Sequence, residues 1–119
     1  MRELRGQCLC GATRLCVQTA VRVAHECHCT QCRRWSGHIW AYLTVRRAAL
    51  TVEGPVAWYR HSAIAQRGFC ADCGSSLFWA KDGSACIDIS AGALEAPTGL
   101  CLGAPSFPAD HGDYYEVSR

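Results

Sequence analysis

The sequence lacks a strong excess of either charge, a long apolar stretch and a recognisable signal segment. Its 119 residues carry a formal net charge of +2, an excess too small to indicate a nucleic acid or a membrane surface as partner. No stretch approaches the roughly 20 apolar residues that span a bilayer. The first six residues lack the apolar core of a signal peptide. We therefore expect a cytoplasmic protein that makes no membrane contact.

The sequence also lacks internal repeats, low-complexity tracts and linkers, so residues 1–119 are interpreted as one domain. Helix signals are weak, and the candidates are one or two turns after Thr30 that end near Gly37 and a corner at residues 46–49. Short runs rich in Val, Thr, Tyr and Trp recur instead at residues 12–17, 39–45, 50–52, 56–59, 76–79 and 86–89. This pattern predicts a mostly β domain of antiparallel strands with short helical turns.

Cysteine is what the sequence has in excess. Seven of its ten cysteines form three clusters, which are Cys8 with Cys10, Cys27 with Cys29 and Cys32, and Cys70 with Cys73. In a reducing compartment such clusters are more often metal ligands or redox groups than disulfides. The absence of a βαβ pattern disfavours a thioredoxin-like redox pair, so we predict zinc. The other three, Cys16, Cys86 and Cys101, are predicted to be small buried apolar residues.

The central cluster is predicted to hold one metal ion. Cys27, Cys29 and Cys32 lie within six residues, so gathering them costs little loop-closure entropy. Three thiolates leave the fourth position of a tetrahedral zinc open to water or a ligand. His25 or His28 could close the site, although His28 points away from the flanking cysteines if this segment is extended. Closed and open versions of this site are therefore both compatible with the sequence.

The two outer clusters are then left to share a second ion. Cys8 and Cys10 would join Cys70 and Cys73 in a closed site of four thiolates, which is typical of structural zinc. About sixty residues separate the two pairs. Such a metal would tie the first strand to the second half of the chain, and its loss should loosen the whole domain.

Two arginines follow the central cluster directly. Three thiolates on Zn²⁺ leave a net charge of −1, which Arg33 and Arg34 could offset. They could instead hold the carboxylates of an acidic ligand. The alternative for either one is a solvated surface arginine.

These motifs resemble the glutathione-dependent formaldehyde-activating enzymes and their centromere protein V relatives. The resemblance extends from about residue 6 to Leu94, with a weaker echo in Gly112-Asp113-Tyr114-Tyr115. The segments that carry it are Gly6-Gln7-Cys8-Leu9-Cys10-Gly11-Ala12, Cys27-His28-Cys29-Thr30-Gln31-Cys32-Arg33-Arg34-Trp35-Ser36-Gly37 and Arg67-Gly68-Phe69-Cys70-Ala71-Asp72-Cys73-Gly74-Ser75. Their order and spacing make the resemblance specific.

The resemblance implies a fold, two metal sites and an activity. The implied fold is the zinc-bound β-tent shared with methionine sulfoxide reductase B. The implied activity is that of a carbon–sulfur lyase of formaldehyde detoxification, which joins formaldehyde to glutathione as S-hydroxymethylglutathione and reverses that step. Arg33, Arg34 or Arg67 would pair with the carboxylates of glutathione. The implied zinc ligands are Cys8, Cys10, Cys70 and Cys73 at the structural ion and Cys27, Cys29 and Cys32 at the catalytic ion.

One segment departs from the family pattern. The family has a His followed by bulky apolar residues where this sequence has Ala104-Pro105-Ser106-Phe107-Pro108, and the sequence ends without the usual Leu-Pro tail. Two prolines predict that no strand continues through this segment. We therefore expect an altered or absent contribution of residues 104–108 to a ligand pocket.

Two other functions remain compatible with the sequence. One is a non-catalytic zinc module that binds a thiol, a protein or a nucleic acid, and the other is an enzyme for a different thiol adduct. A nucleic-acid reader gathers its basic residues into one stripe, whereas the arginines here are dispersed. Nucleic acid is thus the less favoured partner, and a small thiol with an aldehyde the more favoured one. The sequence leaves a homo-oligomer open.

Overall fold

Most of the chain is organised in short strands in the computed structural model, which describes residues 1–117. The strands are β1 (Arg2–Gln7), β2 (Arg14–Thr19), β3 (Val23–Cys27), β4 (Trp40–Arg46), β5 (Leu50–Glu53), β6 (Val56–Arg60), β7 (Ala65–Cys70), β8 (Ser76–Lys81), β9 (Cys86–Ser90) and β10 (Cys101–Leu102). The helical segments are α1 (Thr30–Ser36) and the 3₁₀ turns Arg47–Ala49, Ala91–Ala93 and Pro108–Asp110. The predicted mostly β fold is confirmed.

The strands form two sheets. One has three strands in the order β1-β2-β5, and the other has seven in the order β10-β3-β4-β9-β8-β7-β6. Neighbouring strands are antiparallel except β10, which pairs parallel to β3. The antiparallel pattern predicted from sequence therefore holds for all but the short strand β10.

The core lies between the two sheets. Each strand alternates its side chains between two faces, and in β4 this puts Leu43 and Val45 in the core and Tyr42 and Thr44 on the opposite face. Full burial of an aliphatic or aromatic side chain contributes about 1.5–3 kcal/mol. The fully buried side chains that join the sheets include Leu4, Leu15 and Val17 from the three-stranded sheet and Leu43, Leu77, Phe78 and Ile89 from the seven-stranded sheet.

The sequence pattern located six of the ten strands and both helical segments that it predicted. The missed strands are β1, β3, β7 and β10. Charged residues in β1 and an Arg-Gly pair in β7 hide the strand pattern, and pairing with neighbouring strands decides these conformations instead. Helix α1 ends at Gly37 in the left-handed conformation, as its glycine indicates. Within residues 1–117, none of the helical segments has the length and apolar composition needed to cross a membrane.

The prediction that the three unclustered cysteines are buried is wrong. Cys16 and Cys86 are half-buried and Cys101 is exposed. Cys16 lies between the buried Leu15 and Val17 on β2, so alternation turns it away from the core, and its Sγ lies 2.8 Å from Glu3 Oε1. The general tendency of free cysteines to be buried does not show which face of a strand a particular cysteine lies on.

The turn between β5 and β6 packs tightly against the turn that follows Cys8. Gly54 has φ +100°, and a Cβ there would overlap the backbone of Ala12 and Thr13. Thr13 Oγ1 donates to Pro55 O at 3.0 Å, which holds the two turns together. Gly83 offers a comparison, because its φ is +74° and a Cβ there would have no neighbour within 4 Å.

We predict that Gly54→Ala destabilises the protein more than Gly83→Ala. Both variants put a side chain into a left-handed conformation at a cost of about 1–2 kcal/mol, but Gly54→Ala adds a backbone overlap of about 1–3 kcal/mol. Urea unfolding monitored by tryptophan fluorescence measures both losses. Equal losses in the two variants would contradict the close approach of these turns.

Candidate metal sites and active site

Four cysteine sulfurs meet where the two sheets join. Cys8 follows β1 and Cys70 ends β7, and the Sγ atoms of Cys8, Cys10, Cys70 and Cys73 lie within 4.8 Å of one another. The Cys8–Cys10 and Cys10–Cys70 sulfur distances are 3.6 and 3.9 Å. Tetrahedral zinc with Zn–S bonds of about 2.3 Å requires sulfurs about 3.8 Å apart. This donor set fits zinc, and the group could hold a metal ion.

Two similar turns bring these sulfurs together. In the first turn, Gly11 N donates to Cys8 O at 3.2 Å, and in the second, Gly74 N donates to Cys70 O at 2.8 Å. Both glycines have φ +80°, a conformation that side chains disfavour. The Ser75 hydroxyl links the turns, because it accepts from Leu9 N at 2.9 Å and lies 3.2 Å from Cys73 Sγ.

Hydrogen bonds around Cys73 favour the thiolate form of its side chain. The hydrogen bond from the Ser75 hydroxyl and backbone hydrogen bonds lower the pKa of Cys73 to about 5. Thiolate is the form that binds metal. Hydrogen bonds from both turns therefore favour the form of Cys73 that binds metal.

Three further sulfurs meet at the start of α1. Cys27 ends β3, and the Sγ atoms of Cys27, Cys29 and Cys32 lie within 4.8 Å of one another. Cys29 is the N-cap residue of α1, and its sulfur accepts from Cys32 N at 3.3 Å. The side chain of Cys29 thus both caps the helix and contributes a sulfur to the three-cysteine group. The structure brings together the same three cysteines that sequence spacing groups.

Neither nearby histidine belongs to the three-cysteine group. His25 Nδ1 lies 3.2 Å from Ala104 O. His28 is buried, and its Nδ1 lies 2.8 Å from the Tyr115 hydroxyl. This orientation of His28 agrees with the prediction from strand alternation that it is not a ligand, and the geometry favours the three-sulfur version of the site.

A buried arginine contacts the three-cysteine group. Arg67 is 3% exposed, its two terminal nitrogens lie 3.6 and 3.7 Å from Cys32 Sγ, and its guanidinium lies 4.9 Å from the centre of the Trp35 ring. A hydrogen bond from Cys27 and the charge of Arg67 lower the pKa of Cys32, although burial opposes them. The pKa of Cys27 is raised by the same hydrogen bond and by burial. Negative charge is therefore favoured at Cys32.

The three-cysteine group forms one wall of a cavity of about 670 Å³. Thr30 and Gln31 line it from the first turn of α1, and Trp40 and Tyr42 line it from β4. Half-buried Trp79 adds an aromatic wall from β8. A cavity of this size, lined by aromatic side chains together with polar ones, is typical of a small-molecule site.

Strand register puts three residues of the cavity wall in one row. Thr44 pairs with Asp88, Asp88 with Trp79, and Trp79 with Arg67 across four neighbouring strands. Paired residues share a face of the sheet, and this face is opposite to the core. Asp88, Trp79 and Arg67 all line the cavity. Sequence reasoning missed Asp88, Trp79 and Tyr42, and only the alternation along β4, β8 and β9 could have indicated them.

His61 is a further missed residue of the cavity wall. Trp79 Nε1 donates to His61 Nε2 at 3.1 Å, so the neutral ring carries its proton on Nδ1. Burial and the charges of Arg67 and Arg60 lower the pKa of His61, which favours this neutral form. Nδ1 has no hydrogen-bond partner in the part of the chain that the structure describes.

The divergent segment at residues 104–108 does contribute to the cavity. Ser106 and Phe107 line it, so of the two expected alternatives, an altered or an absent contribution, absence does not apply. Ser106 forms an isolated parallel bridge with Cys27 and its hydroxyl lies 2.9 Å from the Tyr42 hydroxyl. The prolines do interrupt the strand as predicted, because β10 ends at Leu102. Backbone bonds of Ser106 to Glu26 O and from His28 N keep the segment in place.

Arg33 and Arg34 lie on α1 outside the set of residues that line the cavity. The Arg33 guanidinium donates to His28 O and Asp110 O, both at 3.2 Å, so it ties the helix to the C-terminal segment. Arg34 is exposed. Of these three arginines, Arg67 is the one that lines the cavity.

Comparisons with known proteins agree with these observations. A family model described as glutathione-dependent formaldehyde-activating enzyme matches residues 3–106. An uncharacterized lyase of Schizosaccharomyces pombe is 33% identical over 81 residues, and this match spans 67% of the chain and 59% of the relative. The crystal structure of a Rhodobacter sphaeroides protein is similar with a TM-score of 0.67 at 26% identity, over 86% of this chain and 99% of that one.

We predict that Tyr115→Phe costs more stability than Tyr114→Phe. The Tyr115 hydroxyl lies 2.8 Å from Nδ1 of the buried His28. Nε2 of that ring has no hydrogen-bond partner among residues 1–117 and lies 3.9 Å from Glu26 Oε2. The variant therefore removes the hydrogen-bond partner of Nδ1, at a cost of about 1–3 kcal/mol. Tyr114 makes the same type of bond to the exposed His38, and its loss should cost less than about 0.5 kcal/mol. Thermal unfolding of the two variants measures the difference. The reverse order would show that the His28 contact is not maintained in solution.

Proposed function

The chain belongs to the family of glutathione-dependent formaldehyde-activating enzymes, and from this premise we propose that it is a zinc-dependent carbon–sulfur lyase. Its substrates are formaldehyde and glutathione, which it joins as S-hydroxymethylglutathione, and it catalyses the reverse cleavage. The observation that carries the proposal is the convergence of three thiols at the wall of an aromatic cavity. We further propose that residues 1–119 act as one domain, in a reducing cytoplasm that keeps the clustered thiols available.

Two zinc ions would have different roles. Cys8, Cys10, Cys70 and Cys73 would hold the structural ion, and Cys27, Cys29 and Cys32 would hold the second with one position for a thiol. When bound in the second site, zinc lowers the pKa of a coordinated thiol and polarises an aldehyde oxygen. The sulfur distances of the first group and the open cavity beside the second support this division.

The surrounding residues of the chain balance charge and exclude water. Three thiolates and Zn²⁺ have a net charge of −1, and the buried guanidinium of Arg67 beside Cys32 compensates it. Trp35 holds the guanidinium plane by stacking. Trp40, Tyr42 and Trp79 form the apolar walls in which a small aldehyde would be held away from bulk water.

The carboxylates of glutathione lie at the ends of the tripeptide, away from its thiol. With the thiol at the three-cysteine group, these ends would extend to the rim of the cavity. Thr30 and Gln31 line the cavity, and Arg34 follows them by four and three residues on α1, a spacing that puts it on the same helix face. We therefore propose Arg34, with Arg33 beside it, as the partners of these carboxylates.

We predict two zinc ions per chain that leave with unequal ease. A chelator should remove the three-thiolate ion first, because its fourth position is open to competing ligands.

Cys73→Ser should unfold the protein, since structural zinc contributes folding free energy. Cys29→Ser should remain folded with one ion, because serine preserves the N-cap. Metal analysis and circular dichroism provide the measurements, and one ion in the reduced, zinc-supplemented protein or equal unfolding of both variants would contradict the assignment.

We predict that glutathione binds the zinc-loaded protein and that S-methylglutathione does not. The methyl group prevents formation of the thiolate, so only the free thiol can use the open position. Affinity for glutathione should increase as pH rises towards the pKa of its thiol, because bound thiol is deprotonated. Calorimetry with both compounds is the test, paired with aldehyde exchange measured by NMR. Equal affinities without catalysed exchange would favour a non-catalytic module.

The same calorimetry tests the two helix arginines. Arg33→Ala with Arg34→Ala should weaken glutathione binding by about 1–3 kcal/mol if charge-assisted hydrogen bonds are lost. Arg34→Ala alone should show part of this loss, and it removes no hydrogen bond that the structure shows. Arg22→Ala with Arg46→Ala is the matched control, because both side chains are exposed, lie outside the cavity lining and carry the same charge. Equal weakening by both double variants would mean that only net charge matters.

A further inference from the structure

Asp88 is a half-buried carboxyl group on the wall of the cavity. Its Oδ1 accepts a hydrogen bond from Thr44 Oγ1 at 2.6 Å. Its Oδ2 has no hydrogen-bond partner among the described residues, and it is not one of the fully enclosed side-chain atoms that lack such a partner. One oxygen therefore holds the carboxyl in place while the other is accessible to a molecule in the cavity.

The position of Asp88 in the sheet leaves its carboxyl group half-buried. Trp79 is its cross-strand partner on β8, and Thr44 is its partner on β4. Burial raises the pKa of Asp88, although the Thr44 hydrogen bond and the charge of His25 oppose that shift. The titratable or charged groups that share this face or line the cavity around it are His25, Cys27, Cys29, Cys32, Tyr42, His61, Arg67 and Asp110.

The other proton-carrying groups of the cavity are less suited to exchange a proton with a ligand. Tyr42 has its hydroxyl bonded to Ser106, and burial raises its pKa, so it remains a protonated phenol. His61 uses Nε2 to accept from Trp79, and its Nδ1 is enclosed. Asp110 is an exposed residue of the cavity lining. Asp88 alone among these groups combines a fixed oxygen with an accessible one.

We infer that Asp88 is the general acid and base of the reaction, an inference that rests on the proposed function. In cleavage, the Asp88 carboxylate accepts the hydroxyl proton of the adduct RS–CH₂–OH. The C–O bond becomes the carbonyl of formaldehyde as the C–S bond breaks, and the sulfur leaves with the electron pair as thiolate. In synthesis, thiolate attacks formaldehyde and the Asp88 carboxyl group donates its proton to the developing alkoxide. Atoms and charge balance in both directions, and no oxidant or reductant takes part.

The first experiment compares Asp88→Asn with the wild-type protein, both loaded with zinc. Asparagine retains an oxygen that can accept the Thr44 hydrogen bond but cannot exchange a proton at neutral pH. The catalysed rate of S-hydroxymethylglutathione cleavage, measured by exchange NMR after subtraction of the spontaneous rate, should fall about 10²–10⁴-fold. Glutathione affinity by calorimetry and the melting temperature should stay close to the wild-type values. Asp113→Asn is the matched control, because this carboxyl group is exposed and lies outside the cavity lining.

The second experiment uses Thr44→Val to test the role of Asp88 through its pH dependence. The Thr44 hydrogen bond stabilises the carboxylate and lowers the pKa of Asp88, so its loss must raise that pKa. Cleavage requires the carboxylate, and its rate therefore rises with pH through the pKa of Asp88. Thr44→Val should move this rise to higher pH, and Asp88→Asn should abolish it. A purely structural role of Thr44 would lower the rate without moving the profile.

The outcomes separate the two levels of the proposal. A wild-type protein that does not accelerate cleavage contradicts both the proposed function and the role of Asp88. An active wild-type protein with an equally active Asp88→Asn variant contradicts only the role of Asp88. An Asp88→Asn variant that loses glutathione affinity in proportion to its rate would overturn the acid–base role in favour of substrate binding.

Discussion

The convergence of four thiols at the junction of the two sheets is the constraint on which the rest of the structure depends. Cys8 and Cys10 follow the first strand of the three-stranded sheet, whereas Cys70 ends β7 of the seven-stranded sheet and Cys73 follows it. Four sulfurs this close repel one another as thiolates unless a cation lies between them. A metal ion in this group would therefore couple sheet packing to ligand deprotonation, so folding and metal binding would be one equilibrium.

One face of the seven-stranded sheet packs in the core, and the opposite face lines the cavity. Leu43 and Val45 of β4 pack in the core, while Tyr42 on the same strand lines the cavity. The cavity face can carry buried polar groups because each charge has a partner of opposite sign or a hydrogen bond. Arg67 shows the principle, since a buried guanidinium would be costly without the sulfur of Cys32 and the face of Trp35.

The C-terminal segment completes the site, although residues 104–108 were expected to alter or lose their contribution to it. Ser106 pairs with Cys27 through the backbone and with Tyr42 through its hydroxyl. The Arg33 guanidinium donates a hydrogen bond to Asp110 O. The Tyr115 hydroxyl is hydrogen-bonded to His28, which lies between Cys27 and Cys29 in the sequence. A sequence with different side chains in this segment can thus preserve the site, because backbone hydrogen bonds provide most of the attachment.

Local chemistry in the sequence determined the fold class, the helix bounds near Thr30 and Gly37 and the two groups of cysteines. Such features depend on residue type and short spacing, since a glycine ends a helix and nearby thiols close a loop at little entropic cost. The sequence also determined the family, whose model matches residues 3–106. Only the tertiary structure decided that Asp88, Trp79 and Arg67 form one row, and that Arg67 rather than Arg33 or Arg34 lines the cavity. Strand register, which depends on pairing between residues far apart in the sequence, set those positions, and no short pattern records it.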